Sequence, residues 1–218
     1  NGKTIHRARV IVGKRKHQTP SFSDEMETVV FNPYWNVPRS IATKEMLPQL
    51  WYNPYYLDDK GFEVFGSRGQ VSSGAVDWGE YTPQTMPYTI RQPPGPANAL
   101  GSMKFLFPNR HNVYMHDTPT KHLFSQNVRT YSHGCVRVQN PDQLAAIILR
   151  REGWTPERIS AVVRAGENRK IPLKTKVSVH LTYFTAWADG ADVSFYKDMY
   201  GRDVLLKRAL GRNLVAMK

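Results

Sequence analysis

The chain has 218 residues, of which 40% are hydrophobic and 22% are charged. This composition is too apolar for a disordered chain and too charged for a membrane protein, and the length suits one folded domain with a sizeable core. The longest helical-looking apolar stretch, Leu144 to Leu149, is far shorter than the roughly 20 residues that cross a bilayer. We therefore expect a globular chain with no transmembrane segment.

Thirty Lys and Arg against eighteen Asp and Glu give a formal net charge of +12. The excess is spread along the chain, which suits a polyanionic partner such as nucleic acid, an acidic lipid surface or an anionic cell-wall polymer, and equally suits a solvated basic surface. Because no nucleic-acid motif accompanies the charge, a nucleic-acid partner is not expected. Asn1 to Lys16 lacks the pattern of a signal peptide, so the localisation cannot be read directly.

Strand patterns dominate the chain outside its middle. Arg7 to Val12 alternates basic and apolar residues, and Glu27 to Phe31 is a second short strand that ends at Asn32-Pro33. Further strands are predicted at Met103 to Phe107, Asn112 to Met115 and Val177 to Trp187, the last joined to Asp192 to Tyr196 by a turn at Asp189-Gly190.

The segment from about residue 34 to 96 has a different character. It is rich in Trp, Tyr, Pro and Gly and contains one predicted helix, Arg39 to Leu50. A long segment with little regular structure is usually functional or disordered, and the aromatic content argues against disorder. We interpret this segment as a capping insertion, a lid within a single domain that spans residues 1 to 218.

Two helices are predicted in the second half of the chain. The first has Asn140 as its N-cap and Pro141 in its first turn, and the second starts in the same way at Thr155 and Pro156. Together with the strands, they indicate a fold that is mainly β with a few helices, an α+β class.

The densest cluster of reactive side chains lies between Tyr114 and Val138 and contains the single cysteine, Cys135. A lone cysteine excludes an intrachain disulfide, and as a nucleophile it needs a neighbouring base. His133 and His116 are the candidates. If Cys135 starts a strand beside the one that ends at Met115, the His116 side chain can reach the thiol, whereas His133 lies on the same face at some distance.

The residues around the thiol suggest further roles. Gly134 leaves room for a substrate against the backbone, and the amides of Gly134 and Cys135 can point at a developing oxyanion. Arg137 shares the face of Cys135 and can hold a thiolate or a substrate carboxylate.

Other interpretations of the same residues stay open. Cys135 can be a buried small hydrophobe, and His116 can be a satisfied turn histidine. A metal site built from His111, His116, His133 and Cys135 is an alternative, but neither HExxH nor paired CxxC is present. Ser132 lies outside any GxSxG elbow, and glycine-rich phosphate loops are absent, so we expect no metal and no cofactor.

The run SHGCVRV at Ser132 to Val138, with His116 nineteen residues before Cys135, resembles the signature of the YkuD-type L,D-transpeptidases. Other stretches resemble the YcbB-like branch of that family, so the similarity covers nearly the whole chain. These stretches are VIVGKRKHQTP at Val10 to Pro20, FNPYWNVPRSIATKEMLPQL at Phe31 to Leu50, VDW at Val76 to Trp78, PGPANALG at Pro94 to Gly101 and YMHDTPT at Tyr114 to Thr120.

The resemblance implies a β-sandwich-like catalytic domain with a capping insertion, in the periplasm or cell envelope of a Gram-negative bacterium. It implies that a cysteine thiolate attacks the third residue of a peptidoglycan tetrapeptide stem, usually meso-diaminopimelate. D-alanine leaves, and a diaminopimelate amine of a second stem takes the acyl group. The implied nucleophile is Cys135 and the implied base is His116. The residues implied to shape the oxyanion site and substrate pocket are Ser132, His133, Gly134, Arg137 and Tyr114.

The resemblance leaves the acceptor open. The three alternatives for the acyl acceptor are a second stem, an outer-membrane protein or lipoprotein that becomes anchored to peptidoglycan, and water in a trimming reaction. Carbapenem-type inhibitors are expected to trap Cys135, and a non-catalytic wall-binding module is the remote alternative. Trp35 and Trp78 are candidate substrate contacts of the insertion, with packing inside it as the alternative for both.

Members of this family usually have strands before the VIVG segment, and this branch adds a scaffold with a peptidoglycan-binding module. We therefore expect the chain to be a fragment of a larger protein.

Overall fold

The computed structural model describes residues 3–216, with side chains described as far as residue 211. Seven of its strands form one sheet in the order β11-β2-β7-β8-β10-β1-β9, and four others form a second sheet in the order β3-β6-β4-β5. The strands are β1 (Val10–Gly13), β2 (Phe22–Phe31), β3 (Trp35–Asn36), β4 (Glu63–Gly66), β5 (Gly69–Val71), β6 (Thr89–Gln92), β7 (Met103–Leu106), β8 (Met115–His116), β9 (Thr130–Ser132), β10 (Val136–Val138), β11 (Arg169–Leu181), β12 (Ala186–Asp189) and β13 (Asp192–Phe195).

The helices are short except for α6, which has 15 residues. They are α1 (Arg39–Ile41), α2 (Leu47–Leu50), α3 (Tyr56–Asp59), α4 (Pro141–Leu149), α5 (Pro156–Ala165) and α6 (Arg202–Ala216), with short 3₁₀ turns at Arg15–His17, Ser73–Ala75, Trp78–Glu80, Lys121–Ser125 and Arg150–Glu152. The fold is mainly β with a few helices, which confirms the predicted class. None of the helices described between residues 3 and 216 combines the length and apolarity that crossing a membrane requires.

The main core lies between the seven-stranded sheet and helices α4 and α5. The last residues of β2, Val29 to Phe31, are apolar in succession and fully buried, as expected for a strand that is covered on both faces. Phe31 stacks on Trp154 at a centroid distance of 5.3 Å, beside the start of α5. Buried side chains shared by this core include Met26, Met103, Phe105, Phe107, Ala145, Leu149 and Ile159.

The second sheet is built from the segment between β2 and β7, and it has a hydrophobic core of its own. Asn98 ties together the two places where the chain leaves and rejoins the main sheet. Its buried side-chain amide donates to the carbonyls of Pro33 at 3.0 Å and Pro93 at 2.8 Å, and its oxygen accepts from the Leu100 amide at 2.8 Å. This segment thus has a sheet and a core of its own, and its role as a capping insertion stays a prediction.

The predicted helix from Arg39 to Leu50 forms with one irregularity, a π-helical turn at Ala42–Met46 between α1 and α2. Pro48 explains the irregularity, because it has no amide hydrogen for the carbonyl four residues earlier and its ring crowds that carbonyl. The Leu47 amide, just before the proline, donates five residues back to the Ala42 carbonyl.

The predicted helix starts at residues 140 and 155 differ in how they are capped. Thr155 caps α5 as expected, because its hydroxyl accepts from the Arg158 amide. Asn140 occupies the N-cap position of α4 and Pro141 its first turn, as predicted, but the Asn140 backbone is left-handed, with φ of 50°, and its side chain makes no capping hydrogen bond.

The C-terminal strand pattern divides in two. The strand predicted from Val177 to Trp187 ends at Leu181 and resumes as β12, which the predicted turn joins to β13. Between them the Tyr183 ring stacks on Tyr200 at 5.2 Å, and its hydroxyl donates to Asp198 at 2.5 Å. This packing takes the chain out of the sheet.

Candidate active site

The reactive side chains lie on two neighbouring parallel strands, β8 and β10. His116 is paired with Arg137, which places Tyr114 across from Cys135. Because side chains alternate along a strand, Tyr114, His116, Cys135 and Arg137 share one face of the sheet. Cys135 immediately precedes β10, which starts one residue after the predicted strand start, and β10 runs beside the strand of His116 as expected.

The Cys135 thiol is partly exposed and lies 3.8 Å from the Asn112 carbonyl oxygen. Burial raises the pKa of the thiol, while hydrogen bonds from the backbone and side chain of Tyr114 and the positive charge of Arg137 oppose that rise. Burial also raises the pKa of Tyr114 well above its ordinary value, so its hydroxyl stays protonated and can donate. The resting cysteine is therefore a thiol with a hydrogen-bond donor and a cation beside it.

The His116 ring is buried, and its Nδ1 lies 2.5 Å from the Asp117 carbonyl oxygen. Since a carbonyl only accepts, Nδ1 carries the hydrogen and Nε2 keeps a free lone pair. Burial lowers the pKa of His116 to about 4, so the imidazole is neutral at pH 7. Among the described residues no hydrogen bond joins this ring to the thiol, because His116 is diagonal to Cys135 and directly across from Arg137.

The Ser132 side chain holds together the short loop that precedes the Cys135 thiol. The buried Ser132 hydroxyl donates to the Cys135 carbonyl at 2.5 Å and accepts from the Gly134 amide at 3.1 Å. Gly134 has φ of 115°, a conformation that side chains other than that of glycine rarely adopt. The serine and the glycine together fix the backbone turn that presents the thiol.

This arrangement bears on the predicted oxyanion site. The Gly134 amide donates to Ser132 in this structure, so it is already engaged, and a role for Gly134 at the substrate stays a prediction. The Val136 amide is likewise engaged, by the Tyr114 carbonyl at 3.1 Å. Of the two amides predicted to serve, that of Cys135 remains the candidate.

Two residues that the sequence analysis missed support the loop from behind. The Thr19 hydroxyl donates to the Gly134 carbonyl at 2.8 Å and accepts from the Gly13 amide at 2.9 Å. The Tyr200 hydroxyl donates to the Gly13 carbonyl at 2.8 Å. Thr19 appeared only within the stretch Val10 to Pro20, with no role assigned to it, and Tyr200 lies far along the chain, so neither carried a local signal.

His133 connects the loop to the second sheet. Its Nε2 lies 2.7 Å from Glu45 Oε1 in the π-helical turn, and its ring lies 4.8 Å from that of His17. Burial and the nearby His133 lower the pKa of His17. The sequence predicted a substrate contact for His133, and the structure gives its ring these two neighbours instead.

A cavity of about 350 Å³ opens between the two sheets, next to the reactive face, and is named here the inter-sheet cavity. Arg137 lines it from β10 and donates from Nη1 to Thr120 Oγ1 at 3.2 Å. The opposite wall comes from the second sheet and its helices and includes Trp35, Glu45, Tyr56, Lys60 and Phe62.

The two tryptophans predicted to contact substrate have different positions. Trp35 is half-buried and lines the inter-sheet cavity. Trp78 is 1% exposed in the core of the second sheet, and its Nε1 donates to the Ser73 carbonyl at 2.9 Å. The prediction of a substrate contact is therefore wrong for Trp78, because packing and an internal hydrogen bond enclose the ring.

The alternative metal site does not assemble in the part of the chain that the structure describes, where no three His, Cys, Asp or Glu side chains come close enough to hold an ion. His133 pairs with Glu45, and His111 packs against the ring of Phe22 at 5.2 Å. These contacts take two of the proposed ligands away from Cys135.

Comparisons with known proteins agree with this site. The family model described as the L,D-transpeptidase catalytic domain, YkuD, matches residues 1–179. A Haemophilus influenzae protein that carries the name "Putative L,D-transpeptidase" is 36% identical over 204 residues, which cover 93% of this chain and 41% of that protein. The chain thus spans about two fifths of the length of this curated relative. It belongs to the YkuD family of L,D-transpeptidase catalytic domains.

Proposed function

We propose that this chain catalyses acyl transfer between peptidoglycan stems with Cys135 as its nucleophile. The donor is a tetrapeptide stem whose third residue is meso-diaminopimelate, and the acceptor is the diaminopimelate amine of a second stem. The product is a cross-link between two third-position residues. The observation that carries the proposal is the shared face on which β8 and β10 present Cys135, Tyr114, His116 and Arg137.

The first half of the reaction forms a thioester. His116, neutral because burial lowers its pKa to about 4, takes the thiol proton at Nε2 as the sulfur attacks the third-residue carbonyl. Because His116 is the diagonal neighbour of Cys135 on the adjacent strand, its ring must move toward the thiol for this proton transfer. The oxyanion is stabilised by the Cys135 amide, and as it collapses the bond to the fourth residue breaks. The D-alanine amine leaves with the proton held by His116.

The second half reverses these roles. A diaminopimelate amine of another stem attacks the thioester, gives a proton to His116 and expels the sulfur, which regains a proton. Tyr114, which stays protonated, and Arg137 both stabilise negative charge on the sulfur as it departs. Neither step needs a metal or cofactor for its atoms and electrons to balance.

The catalytic residues do not choose the acceptor, because discrimination depends on the shape of the acceptor pocket. Anchoring of an outer-membrane protein or lipoprotein, and hydrolytic trimming by water, use the same thioester. The proposal also assigns the chain to the periplasm of a Gram-negative cell and makes Cys135 a target for carbapenems. These assignments rest on the family resemblance.

Incubation with purified disaccharide-tetrapeptide tests the proposal. We expect a dimer linked between third residues, with release of D-alanine, and neither product from Cys135→Ala. Tripeptide alone would support trimming, and release of D-alanine that needs an added lipoprotein would support anchoring. D-alanine release by the Cys135→Ala variant would contradict the proposed nucleophile.

A further inference from the structure

The inter-sheet cavity carries charges of both signs on walls that are otherwise largely aromatic. Arg137 contributes a cation from β10, and Glu45 and Lys60 face it from the second sheet unit. Arg137 lies two residues after Cys135 on an extended chain, a spacing of about 7 Å. Arg137 therefore connects the strand that follows the thiol to the wall of the cavity.

The Arg137 guanidinium is incompletely paired. Its Nη1 donates to Thr120 Oγ1 at 3.2 Å, but its Nε is buried and has no hydrogen-bond partner within residues 3–216. Burial lowers the pKa of Arg137, since the charge is poorly solvated there. A guanidinium in this condition favours an incoming carboxylate, which can bridge two of its N–H groups.

Glu45 lies in the π-helical turn that Pro48 imposes, and such turns frequently occur at functional sites. One carboxylate oxygen accepts from His133 at 2.7 Å. A carboxylate has a second oxygen with its own lone pairs, so Glu45 keeps capacity for another donor while that bond persists. Its side chain is 51% exposed and therefore accessible from the cavity.

We propose that the inter-sheet cavity binds the far end of the side chain of the third stem residue, with Arg137 receiving its carboxylate and Glu45 its ammonium group. This inference rests on the proposed function. A diaminopimelate side chain ends in both charges, whereas a lysine at the same position ends in an ammonium group alone. The opposed charges of the cavity thus select a zwitterionic side chain in the donor stem.

Rates of thioester formation with three tetrapeptides test the inference. One peptide carries diaminopimelate at position three, one carries diaminopimelate acetylated on its distal amine, and one carries lysine. We expect the wild type to react about tenfold faster with the first than with either other. Glu45→Gln should lose about tenfold with the first peptide and nothing with the acetylated one, whereas Glu80→Gln, an exposed residue outside the cavity, should match the wild type.

The outcomes separate the possible failures. If Glu45→Gln slows all three peptides equally, Glu45 acts only through His133, and the inference is overturned. If the wild type does not distinguish the three peptides, the inference also falls while the proposed function stands. If the wild type forms no adduct with any of them, the proposed function and this inference both fail.

Discussion

Replacing Thr19 with valine tests whether the loop that presents Cys135 depends on support from a distant part of the chain. The substitution keeps the shape of the side chain and replaces the hydroxyl with a methyl group. The Gly134 carbonyl and the Gly13 amide, both buried, then lose their partner. Leaving a buried polar group unpaired costs roughly 1–3 kcal/mol, so leaving two unpaired lowers the free energy of unfolding by about 2–6 kcal/mol.

For a chain of this length each kcal/mol lowers the melting temperature by about 2–4 °C, so Thr19→Val should melt about 4–24 °C below the wild type. Thioester formation at Cys135 should also slow, because the Gly134 turn loses its anchor. Circular dichroism during heating measures the first effect, and intact-protein mass spectrometry over time measures the second.

Two matched controls make the result specific. Thr19→Ser keeps the hydroxyl and should lose only about 1 kcal/mol, from the missing methyl group. Thr43→Val removes a buried hydroxyl whose acceptor, the Arg39 carbonyl, keeps its bond from the Ala42 amide, so it too should cost little. If Thr19→Val melts at the same temperature as Thr19→Ser, the support argued for the loop does not exist.

Two further predictions follow from burial. The pKa of His116 falls from 6.5 to about 4 on folding, so the unfolded chain binds a proton at this residue more readily than the folded chain. The stability that neutral His116 contributes is therefore complete above pH 6.5 and is lost as the pH falls toward 4. Denaturant unfolding of the wild type should therefore lose about 2 kcal/mol more between pH 7 and 4.5 than that of His116→Gln, and equal losses would contradict the assigned burial. Trp78→Ala should destabilise the chain by about 3–5 kcal/mol, because Trp78 fills a core, whereas Trp35→Ala should chiefly slow thioester formation, because Trp35 lines the inter-sheet cavity. Melting and rate measurements that show the reverse pattern would contradict both assignments.

Local patterns in the sequence predicted much of the fold. Alternating and apolar runs identified Glu27 to Phe31 and Met103 to Phe107, because a strand with one or both faces buried leaves that trace. The helical segment from Arg39 to Leu50 was also predicted, but its π-helical turn was not, although Pro48 was visible as the cause. Asn140 was predicted correctly as the N-cap residue of α4, but its left-handed backbone and the missing side-chain hydrogen bond were not predicted.

Local spacing in the sequence also predicted part of the candidate site. The spacing of His116 and Cys135 already suggested neighbouring strands. Contacts between distant segments have no local sequence pattern and could not be predicted. Tyr200, for example, lies 187 residues after Gly13, and its hydroxyl donates to the Gly13 carbonyl. Trp78 shows a second limit, since a tryptophan in an aromatic segment has the same sequence signal whether it faces a cavity or fills a core.

The central claim is that Cys135 forms the covalent intermediate, and mass spectrometry of the protein after brief exposure to the tetrapeptide stem tests it most directly. The account predicts an added mass equal to the stem without its D-alanine, located on the proteolytic peptide that contains Cys135. Cys135→Ala should show no adduct, and His116→Gln should form it much more slowly. An adduct that persists in Cys135→Ala, or cross-linked product made by the wild type with Cys135 never modified, would contradict the account.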